Sequence, residues 1–454
     1  MIPYFIGMNR FALIVCFFFS LINESVVRGQ SLNNPSDRAI LDNNKTDSFS
    51  GIYHIIMYGQ SLMLGTTSVP VITTKQKYNT LMFSGGIRSG YDSDTNHFYD
   101  RLIPLVEKQS ISYKTGAKLG ETPASGFSET FLKLLTKENG WSFNPQTKKF
   151  NNHDFSLLIS SPAQGSMSAK DLTSPGPYWE RFKRDVLAGY KLATEMGKKY
   201  NVPFVLWNQG ERDIDLKTSA EQYETYLKAF QRKADQFVKS VTHQKNTVWL
   251  VLYQTSSHNV RKSRGNPTIA NAQYQLAKSD PYITMSNATY QLPYSKGDVH
   301  FTNIGSKWNG ANHAIACKRI LFDDKNWRPI FLKRSSISGD TLRLLFHVPV
   351  PPLVFDTSEV TNPGNYGFRL FDNRKNEINI RKILITGSKT VEIIAEKNVS
   401  SKYYLWYGNN GTGTGPMSGA RGNLRDSQGN NISLEILGTR VRMDNWAPIF
   451  KEKL

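Results

Sequence analysis

Between residues 51 and 325 the sequence alternates short apolar runs with longer amphipathic segments, and this alternation limits the possible folds more than any other feature. The apolar runs, bounded by Gly, Pro or polar residues, predict buried strands at residues 52–58, 154–160, 202–207 and 247–253. The amphipathic segments repeat apolar residues every three or four positions and predict helices at residues 127–135, 179–199, 220–241 and 304–321. Strands that alternate with helices indicate an α/β domain: a parallel sheet covered on both faces, with ligands bound at the carboxyl ends of the strands.

The sequence changes character after about residue 326. Short alternating runs are separated by Asn-Gly, Gly-Asn, Pro-Gly and Ser-Gly turns, which predicts a smaller all-β, sandwich-like domain over residues 326–454. One hexapeptide, NWRPIF at residues 326–331, recurs in similar form as NWAPIF at residues 445–450. We expect these two segments to lie near each other where the two domains meet.

The N-terminus has the pattern of a secretory signal. Arg10 precedes an apolar run at residues 11–22 that is short for a membrane span, and small or tolerated residues follow before Gln30. We read residues 1–29 as a signal peptide and residues 30–50 as a linker, so the mature protein is expected to be periplasmic or extracellular, without stable membrane insertion. A lipid anchor at Cys16 is disfavoured because no small residue stands directly before it. Removal of the signal leaves Cys317 as the only cysteine, which excludes an intrachain disulfide.

The charge balance raises the question of a polyanionic partner. The chain has 56 basic and 37 acidic residues, a formal net charge of +19. The basic residues are scattered, without a dense block interleaved with aromatics, so a nucleic acid is not the expected partner. Histidines and carboxylates do not recur at metal-ligand spacing, and we expect neither a metal nor another cofactor. The oligomeric state is left open by the sequence.

Polar residues follow two of the predicted strands, and a third polar group lies in the loop before the last predicted helix. Ser61 ends the run "IIMYGQS", Gln209 and Glu211 follow the strand that ends at Trp207, and Asp298 stands two residues before His300. A serine after a strand is often only part of a turn. A nucleophilic serine also needs a histidine base, a carboxylate that orients the base, and donors for the oxyanion. Residues of these types occur at other strand ends, where they would meet Ser61.

These segments together resemble a known family. The segments Gly59-Gln60-Ser61, Trp207-Asn208-Gln209-Gly210-Glu211 and Asp298-Val299-His300 are similar to the blocks of the SGNH/GDSL hydrolase superfamily, in its sialate O-acetylesterase and acetylxylan-esterase branch. The resemblance implies a flavodoxin-like, three-layer α/β/α fold over residues 51–325. The β-rich remainder resembles, more loosely, the accessory β domains that follow such esterases.

The resemblance also implies a catalytic apparatus. Ser61 would be the nucleophile and His300 the general base. Asp298 or Glu211 would orient His300. Many relatives place the aspartate three residues before the histidine, and this chain has Gly297 at that position. The resemblance therefore does not decide which of the two carboxylates orients His300.

The resemblance further implies an oxyanion site and a substrate contact. The oxyanion donors would be the backbone N–H of Ser61, the side-chain amide of Gln209 and the backbone N–H of Gly126, which we favour over Gly120. Gln164 and Gly165 would lie near the substrate.

The expected activity is that of an exported serine esterase. It would remove O-acetyl groups from a carbohydrate, such as sialic acid or a plant or host polysaccharide, through an acetyl-serine intermediate. Two alternatives stay open at this stage: a non-catalytic carbohydrate-binding or adhesive protein, and an O-acetyltransferase on the same fold.

Overall fold

A computed structural model describes residues 49–90, 97–112, 115–261 and 265–454. Residues Phe49–Leu454 form one unit. The predicted signal peptide and nearly all of the predicted linker lie outside the described residues.

The N-terminal two-thirds of the described chain is built on a seven-stranded sheet in the order β11-β10-β9-β1-β8-β2-β3. Its strands are β1 (Gly51–Gly59), β2 (Leu81–Phe83), β3 (Leu102–Pro104), β8 (Phe155–Ser160), β9 (Tyr200–Asn208), β10 (Trp249–Gln254) and β11 (Ile283–Ala288). Neighbouring strands are parallel except β2 and β3. Two small hairpins, β4 (Ser110–Ile111) with β5 (Lys118–Leu119) and β6 (Phe143–Asn144) with β7 (Lys149–Phe150), lie outside this sheet.

Helices cover both faces of the sheet. They are α1 (Pro123–Glu138), α2 (Ala169–Thr173), α3 (Pro177–Glu195), α4 (Glu211–Leu216), α5 (Ala220–Thr242), α6 (Thr268–Ser279) and α7 (Asn303–Leu321). Alternate residues of β1 point to opposite faces: Ile55 and Met57 pack in a core with α1 and α7, whereas Ile56 and Tyr58 pack in a second core with α2 to α6. The predicted three-layer α/β architecture is confirmed.

Strand β1 lies at the centre because it pairs in parallel with both β8 and β9. All nine of its residues are buried, as expected for a strand inside a doubly covered parallel sheet. The chain order reverses around β1, and such a reversal opens a crevice at the carboxyl ends of the strands. The sheet thus places residues 59–61 at the position where α/β proteins bind ligands.

The C-terminal region consists of antiparallel sheets, which also agrees with the prediction. One sheet has the order β12-β13-β18-β17 and another the order β16-β15-β19-β23, and smaller pairs are β14 with β20 and β21 with β22. The strands are β12 (Phe331–Ser338), β13 (Thr341–His347), β14 (Val354–Phe355), β15 (Phe368–Phe371), β16 (Glu377–Ile378), β17 (Ile380–Gly387), β18 (Thr390–Ala395), β19 (Tyr404–Tyr407), β20 (Leu424–Arg425), β21 (Ser433–Ile436), β22 (Thr439–Arg442) and β23 (Phe450–Lys453). Short helical turns are Asn365–Gly367, α8 (Gly415–Ser418) and Gln428–Asn430.

The repeated hexapeptides meet at the junction of the two regions. Ile330 and Phe450 share one hydrophobic core with Tyr274 of α6, and the Tyr274 ring stacks on Phe450 with centroids 5.3 Å apart. The Tyr274 hydroxyl also accepts a hydrogen bond from the Leu332 N–H at 3.1 Å. The two segments therefore lie near each other, as expected. The domain boundary at residue 326 stays a prediction, since the described residues form a single unit.

No helix within the described ranges is long and apolar enough to cross a membrane.

Candidate active site

Ser61 lies in a tight turn directly after β1. Gly59 has φ +142°, and a Cβ at this position would lie 2.3 Å from the Asn208 carbonyl oxygen at the end of β9. Glycine therefore allows the two strand ends to approach, and the Gln60 N–H donates to Asn208 O at 2.9 Å. The Leu64 and Thr66 N–H groups both donate back to Ser61 O, at 3.1 and 3.2 Å. The turn thus projects Ser61 from the carboxyl edge of the sheet.

The backbone N–H of Ser61 is available to an oxyanion. Among the described residues it donates to no hydrogen-bond acceptor, whereas the preceding Gln60 N–H is bonded. Ser61 also borders the cavity at this edge of the sheet. An unbonded N–H on a serine that borders a cavity is suited to stabilising a tetrahedral oxyanion.

His300 contacts Ser61 directly. The distance from His300 Nε2 to Ser61 Oγ is 2.7 Å, although 239 residues separate the two in the chain. The other ring nitrogen, Nδ1, lies 3.0 and 2.9 Å from the two Asp298 carboxylate oxygens. When Nδ1 carries the proton and donates it to Asp298, Nε2 is left to accept the Ser61 proton, which is the arrangement of a serine-histidine-aspartate triad.

Asp298 is held in its charged form by this arrangement. The hydrogen bond from His300 lowers the pKa of the Asp298 carboxyl below its ordinary value, against a smaller opposing effect of burial. The Val299 N–H also donates to Asp298 Oδ1 at 2.6 Å. A carboxylate that is ionised and bonded to Nδ1 fixes both the tautomer and the orientation of His300.

The loop that carries Asp298 and His300 is pinned from two sides. Within the loop, the Ser295 N–H donates to His300 O at 2.9 Å and the Asp298 N–H donates to Ser295 O at 3.0 Å. From the C-terminal region, the Thr414 hydroxyl donates to the Asp298 carbonyl oxygen at 3.0 Å. The position of the triad therefore depends on both regions of the chain.

Glu211, the alternative partner for His300, contacts different groups. Its buried carboxylate accepts hydrogen bonds from Gln60 Nε2 at 2.7 Å, from the Tyr253 hydroxyl at 2.7 and 2.6 Å, and from the Thr255 hydroxyl at 2.6 Å. Burial and the nearby Glu211 charge raise the pKa of the Tyr253 hydroxyl, which keeps it a donor. The structure thus places Asp298, not Glu211, against His300, and Glu211 instead holds Gln60 in the turn before Ser61.

Gln209 does not reach the site, which corrects the expectation that its amide is an oxyanion donor. Its Nε2 donates to Asp213 Oδ2 and to Met167 O, and its Oε1 accepts from the Tyr223 hydroxyl at 3.1 Å. Burial raises the pKa of Asp213. The amide is therefore fully engaged beneath the cavity and fixes α2 and α4 relative to β9.

Gly126 also lies elsewhere, which corrects its assignment as an oxyanion donor. It is a residue of α1, after an N-cap formed by Thr122 and a proline at the first turn. A Cβ on Gly126 would lie 1.8 Å from the Lys307 carbonyl oxygen of α7. Glycine is required here because the backbones of α1 and α7 pack closely together.

A cavity of about 490 Å³ opens above Ser61 and His300. Gln164 and Gly165 line it, and their contact with a substrate stays a prediction. The Gln164 N–H donates to Gly59 O at 3.0 Å, which ties this segment to the end of β1. Other lining residues that the sequence did not identify include Leu64, Leu119, Met167, Tyr178, Arg212 and Arg261.

The basic residues of this cavity differ in their partners. The Arg261 guanidinium pairs with Asp215. Arg212, at the start of α4, has no acidic partner within the described part of the chain and is exposed. The position of Arg212 directly after Glu211, at the end of a predicted strand, could have indicated that it belongs to the site. Arg261 lies in the loop segment "HNVRKSRG", which has no feature that predicts a place in the site.

Three other histidines are structural. His54 bonds to Tyr200 and Ser160, His313 to Ser286 and Asn208, and His258 to Asn409. Burial lowers the pKa of His54 and His313 to about 3 and that of His258 to about 4, so all three are neutral. In the described residues, no group of histidines, cysteines and carboxylates is arranged to hold a metal ion.

Comparison with solved structures identifies proteins of similar fold. A carbohydrate acetylesterase from Xanthomonas citri superposes with a TM-score of 0.51 at 13% identity, over 88% of this chain and 80% of that one. NanS matches with a TM-score of 0.40 at 14% identity, over 61% of this chain and all of that one (100%). An aryl esterase from M. smegmatis gives 0.31 at 10% identity, over 59% and 98%. A search of family models and a search of curated proteins each gave no match.

The fold of the carbohydrate acetylesterase from Xanthomonas citri is similar to this chain over both of its regions. At this level of identity the likeness concerns the fold. What the chain does with that fold depends on its own residues.

Proposed function

We propose that this protein is a serine esterase that removes O-acetyl groups from a carbohydrate. The observation that carries the proposal is the unbroken chain of contacts from Ser61 Oγ through the His300 ring to Asp298, at 2.7 Å and 2.9 Å. The fold shared with a carbohydrate acetylesterase supports the choice of an acetylated sugar as substrate.

The first half of the reaction forms an acetyl-enzyme. Ser61 Oγ attacks the acetyl carbonyl carbon while its proton moves to His300 Nε2, and the carbonyl electrons move to the oxygen. The Ser61 N–H stabilises this oxyanion, and Asp298 stabilises the imidazolium of His300. When the carbonyl re-forms, the bond to the sugar oxygen breaks and that oxygen takes the proton from Nε2.

The second half releases acetate. His300 Nε2 removes a proton from water as the water oxygen attacks the acetyl carbon, and a second oxyanion forms. Its collapse breaks the bond to Ser61 Oγ, which takes back the proton from Nε2. This sequence needs the cavity to admit water after the sugar has left, whereas an acetyltransferase would need a second sugar in that place.

The test is acetate release from a panel of acetylated glycans and from 4-nitrophenyl acetate. Ser61→Ala is expected to lower turnover by about a thousandfold or more, because it removes the nucleophile and leaves only binding and the oxyanion donor. The matched control is Ser240→Ala, an exposed serine of α5, which should behave as the wild type. Undiminished hydrolysis by Ser61→Ala refutes the proposal, and transfer of the acetyl group to an added sugar, without release of acetate, supports the transferase.

We also propose that the protein is exported after removal of residues 1–29. N-terminal sequencing of protein secreted by an expressing cell would start near Gln30. Protein retained in the cytoplasm with an intact N-terminus would contradict export without affecting the esterase assignment.

A further inference from the structure

The outer face of the sheet β16-β15-β19-β23 carries aromatic and basic side chains. One set of alternating residues faces the hydrophobic core: Phe368, Leu370, Leu405, Tyr407 and Phe450. The other set points outward in two rows across the strands, Arg369, Trp406 and Lys451 in one row and Phe371, Tyr404 and Lys453 in the next. We call these six residues the aromatic face.

The side chains of the aromatic face contact each other closely. The rings of Phe371 and Trp406 have centroids 4.8 Å apart and are inclined at 45°. The Arg369 guanidinium lies 4.8 Å from the Phe371 ring, and the Lys451 ammonium lies 4.9 and 5.0 Å from Trp406 and Tyr404. All three rings are only partly buried. Rings on the outer side of a sheet whose inner side is already a core are available to a ligand.

Three members of the aromatic face, Arg369, Phe371 and Trp406, line an open groove of about 640 Å³. The other wall of the groove carries the amides of Asn259, Asn409 and Asn410. Hydrogen bonds from Asn259 to Gly411 O (2.7 Å) and from His258 to Asn409 hold the wall in place. Aromatic rings fit the apolar faces of sugar rings, amides fit hydroxyl groups, and basic groups fit carboxylates.

The groove lies beside the catalytic cavity. Asn259 lines the groove and Arg261 lines the cavity; two peptide units separate their Cα atoms by no more than about 7 Å. Two of the basic groups near these sites are already paired, Arg369 with Glu377 and Arg261 with Asp215. Lys451 on the aromatic face and Arg212 in the cavity have no acidic partner in the described part of the chain. A polymer that reached from the aromatic face to Ser61 would therefore meet one unpaired cation on the face and one in the cavity.

We propose that the aromatic face and its groove bind the chain of an acidic polysaccharide whose sugars carry carboxylates. Delivery of an acetylated sugar from the bound chain to Ser61 rests on the proposed esterase function. Binding of the polysaccharide does not depend on that function. A glycan fits better than a single-stranded nucleic acid, because Glu377 already pairs with Arg369 at 2.8 and 2.6 Å and the facing wall is neutral. A phosphate backbone needs a continuous row of uncompensated cations.

The experiment measures binding by the full chain carrying Ser61→Ala, which removes turnover. The probes are polygalacturonate, hyaluronan and polysialate, with neutral linear galactan and poly(uridylate) as comparisons. At least one acidic polysaccharide is expected to bind more tightly than both comparisons. The double variant Trp406→Ala/Phe371→Ala should weaken that binding about tenfold or more, and Lys451→Gln several-fold, with a smaller salt dependence. Tyr282→Ala, an aromatic residue that is 41% exposed in the other region, is the matched control.

Three results overturn the proposal: no binding of any acidic polysaccharide, binding that the Lys451→Gln and Trp406→Ala/Phe371→Ala variants retain, or tighter binding of poly(uridylate). Thermal melting verifies that each variant is folded. If the double variant does not fold, the effect of Lys451→Gln on binding tests the proposal by itself, because this substitution changes only a surface side chain. Wild-type hydrolysis of 4-nitrophenyl acetate is measured separately. Polysaccharide binding without hydrolysis would support the aromatic face and reject the esterase; hydrolysis without binding would do the reverse.

Discussion

At the level of single residues, two carboxylates near the nucleophile do different work. Asp298 contacts His300 Nδ1 and is partly exposed, whereas Glu211 is buried and accepts bonds from Gln60, Tyr253 and Thr255. Asp298 therefore acts on the base and Glu211 on the scaffold beneath the nucleophile. We therefore expect the Asn variant of Asp298 to affect mainly activity and the Gln variant of Glu211 to affect mainly stability.

Asp298→Asn should reduce kcat for 4-nitrophenyl acetate by about a thousandfold or more, because the amide neither stabilises the imidazolium nor fixes the tautomer of His300. Its melting temperature should stay close to that of the wild type, since the side chain is partly exposed. The steady-state rate and a thermal melt of the same sample measure both. A loss of less than tenfold would contradict the assignment of Asp298.

The pH dependence follows from the lowered pKa of Asp298. The charged form of Asp298, which accepts the hydrogen bond from His300, is complete above the ordinary carboxyl pKa and is lost as pH falls through the lower pKa of the folded state. Protonation of Asp298 therefore cannot be the step that limits activity at mildly acid pH.

Glu211→Gln should lower the stability of the fold more than Asp298→Asn does and should lower kcat less. The amide still accepts hydrogen bonds but loses the charge on which three donors converge, so we expect a destabilisation on the order of 1–3 kcal/mol. The fall in kcat should be smaller than for Asp298→Asn, because His300 is untouched. Denaturant unfolding and steady-state rates measure the two effects. A loss of activity equal to that of Asp298→Asn, with unchanged stability, would assign Glu211 a direct role in catalysis.

At the level of elements, the catalytic loop is held by a loop of the C-terminal region. Thr414, directly before α8, donates to the Asp298 carbonyl oxygen, and Gly415 packs near Leu292 and Tyr294 of the segment before the loop. The C-terminal region therefore helps to position the proposed triad. Residues far from the α/β sheet in sequence should influence turnover.

Thr414→Val keeps the shape of the side chain and removes its hydroxyl, so the Asp298 loop should become less well positioned. We expect kcat to fall several-fold with a stability change of about 1 kcal/mol or less. Thr412→Val, an exposed residue of the same loop, is the control. If both variants behave alike, the contact between Thr414 and Asp298 does not position the triad.

The elements that the sequence predicted are those whose own residues carry a pattern. Strand β1 and helix α5 have uninterrupted apolar or amphipathic spacing, and both were recognised. Strand β11 was not recognised from the sequence, because its residues, ITMSNA, mix apolar and polar side chains. Its polar residues are buried only because partners arrive from elsewhere: Thr284 donates to Trp327 O, and Ser286 bonds to His313.

The same limit applies to the candidate site. Ser61, His300 and Asp298 were named because motifs mark them. Gln209 and Gly126 were misplaced because spacing does not show where a side chain points or which helix packs against a glycine. Thr414 had no signal, since its partner is 116 residues away. Tertiary contacts of this kind require the folded chain.

At the level of the whole molecule, stability should depend on the pH through buried carboxyl groups. Burial, reinforced by Glu121, raises the pKa of Glu107 from 4.5 to about 8, and burial raises the pKa of Asp185 to about 6. A raised pKa means that the folded state holds the proton more tightly than the unfolded state. The stabilisation is complete below the ordinary pKa and is lost as pH rises through the folded pKa.

Glu107→Gln removes one of these titrations. Relative to the wild type, the variant should become progressively more stable as pH rises from about 4.5 to about 8, because the buried charge of Glu107 no longer forms. Melting temperatures across this range measure the difference. Glu195→Gln, an exposed residue at the end of α3, should show a constant difference. A constant difference for Glu107→Gln as well would show that Glu107 is ionised throughout.

The proposed mechanism requires Ser61 to be an activated nucleophile, and covalent labelling is the direct test of that requirement. The full chain is incubated with a fluorophosphonate, digested, and analysed by peptide mass spectrometry. We expect one phosphonylated residue, Ser61, with labelling that is lost in Ser61→Ala and strongly slowed in His300→Ala. An unlabelled wild-type chain, or label on another serine with Ser61 unmodified, would contradict it.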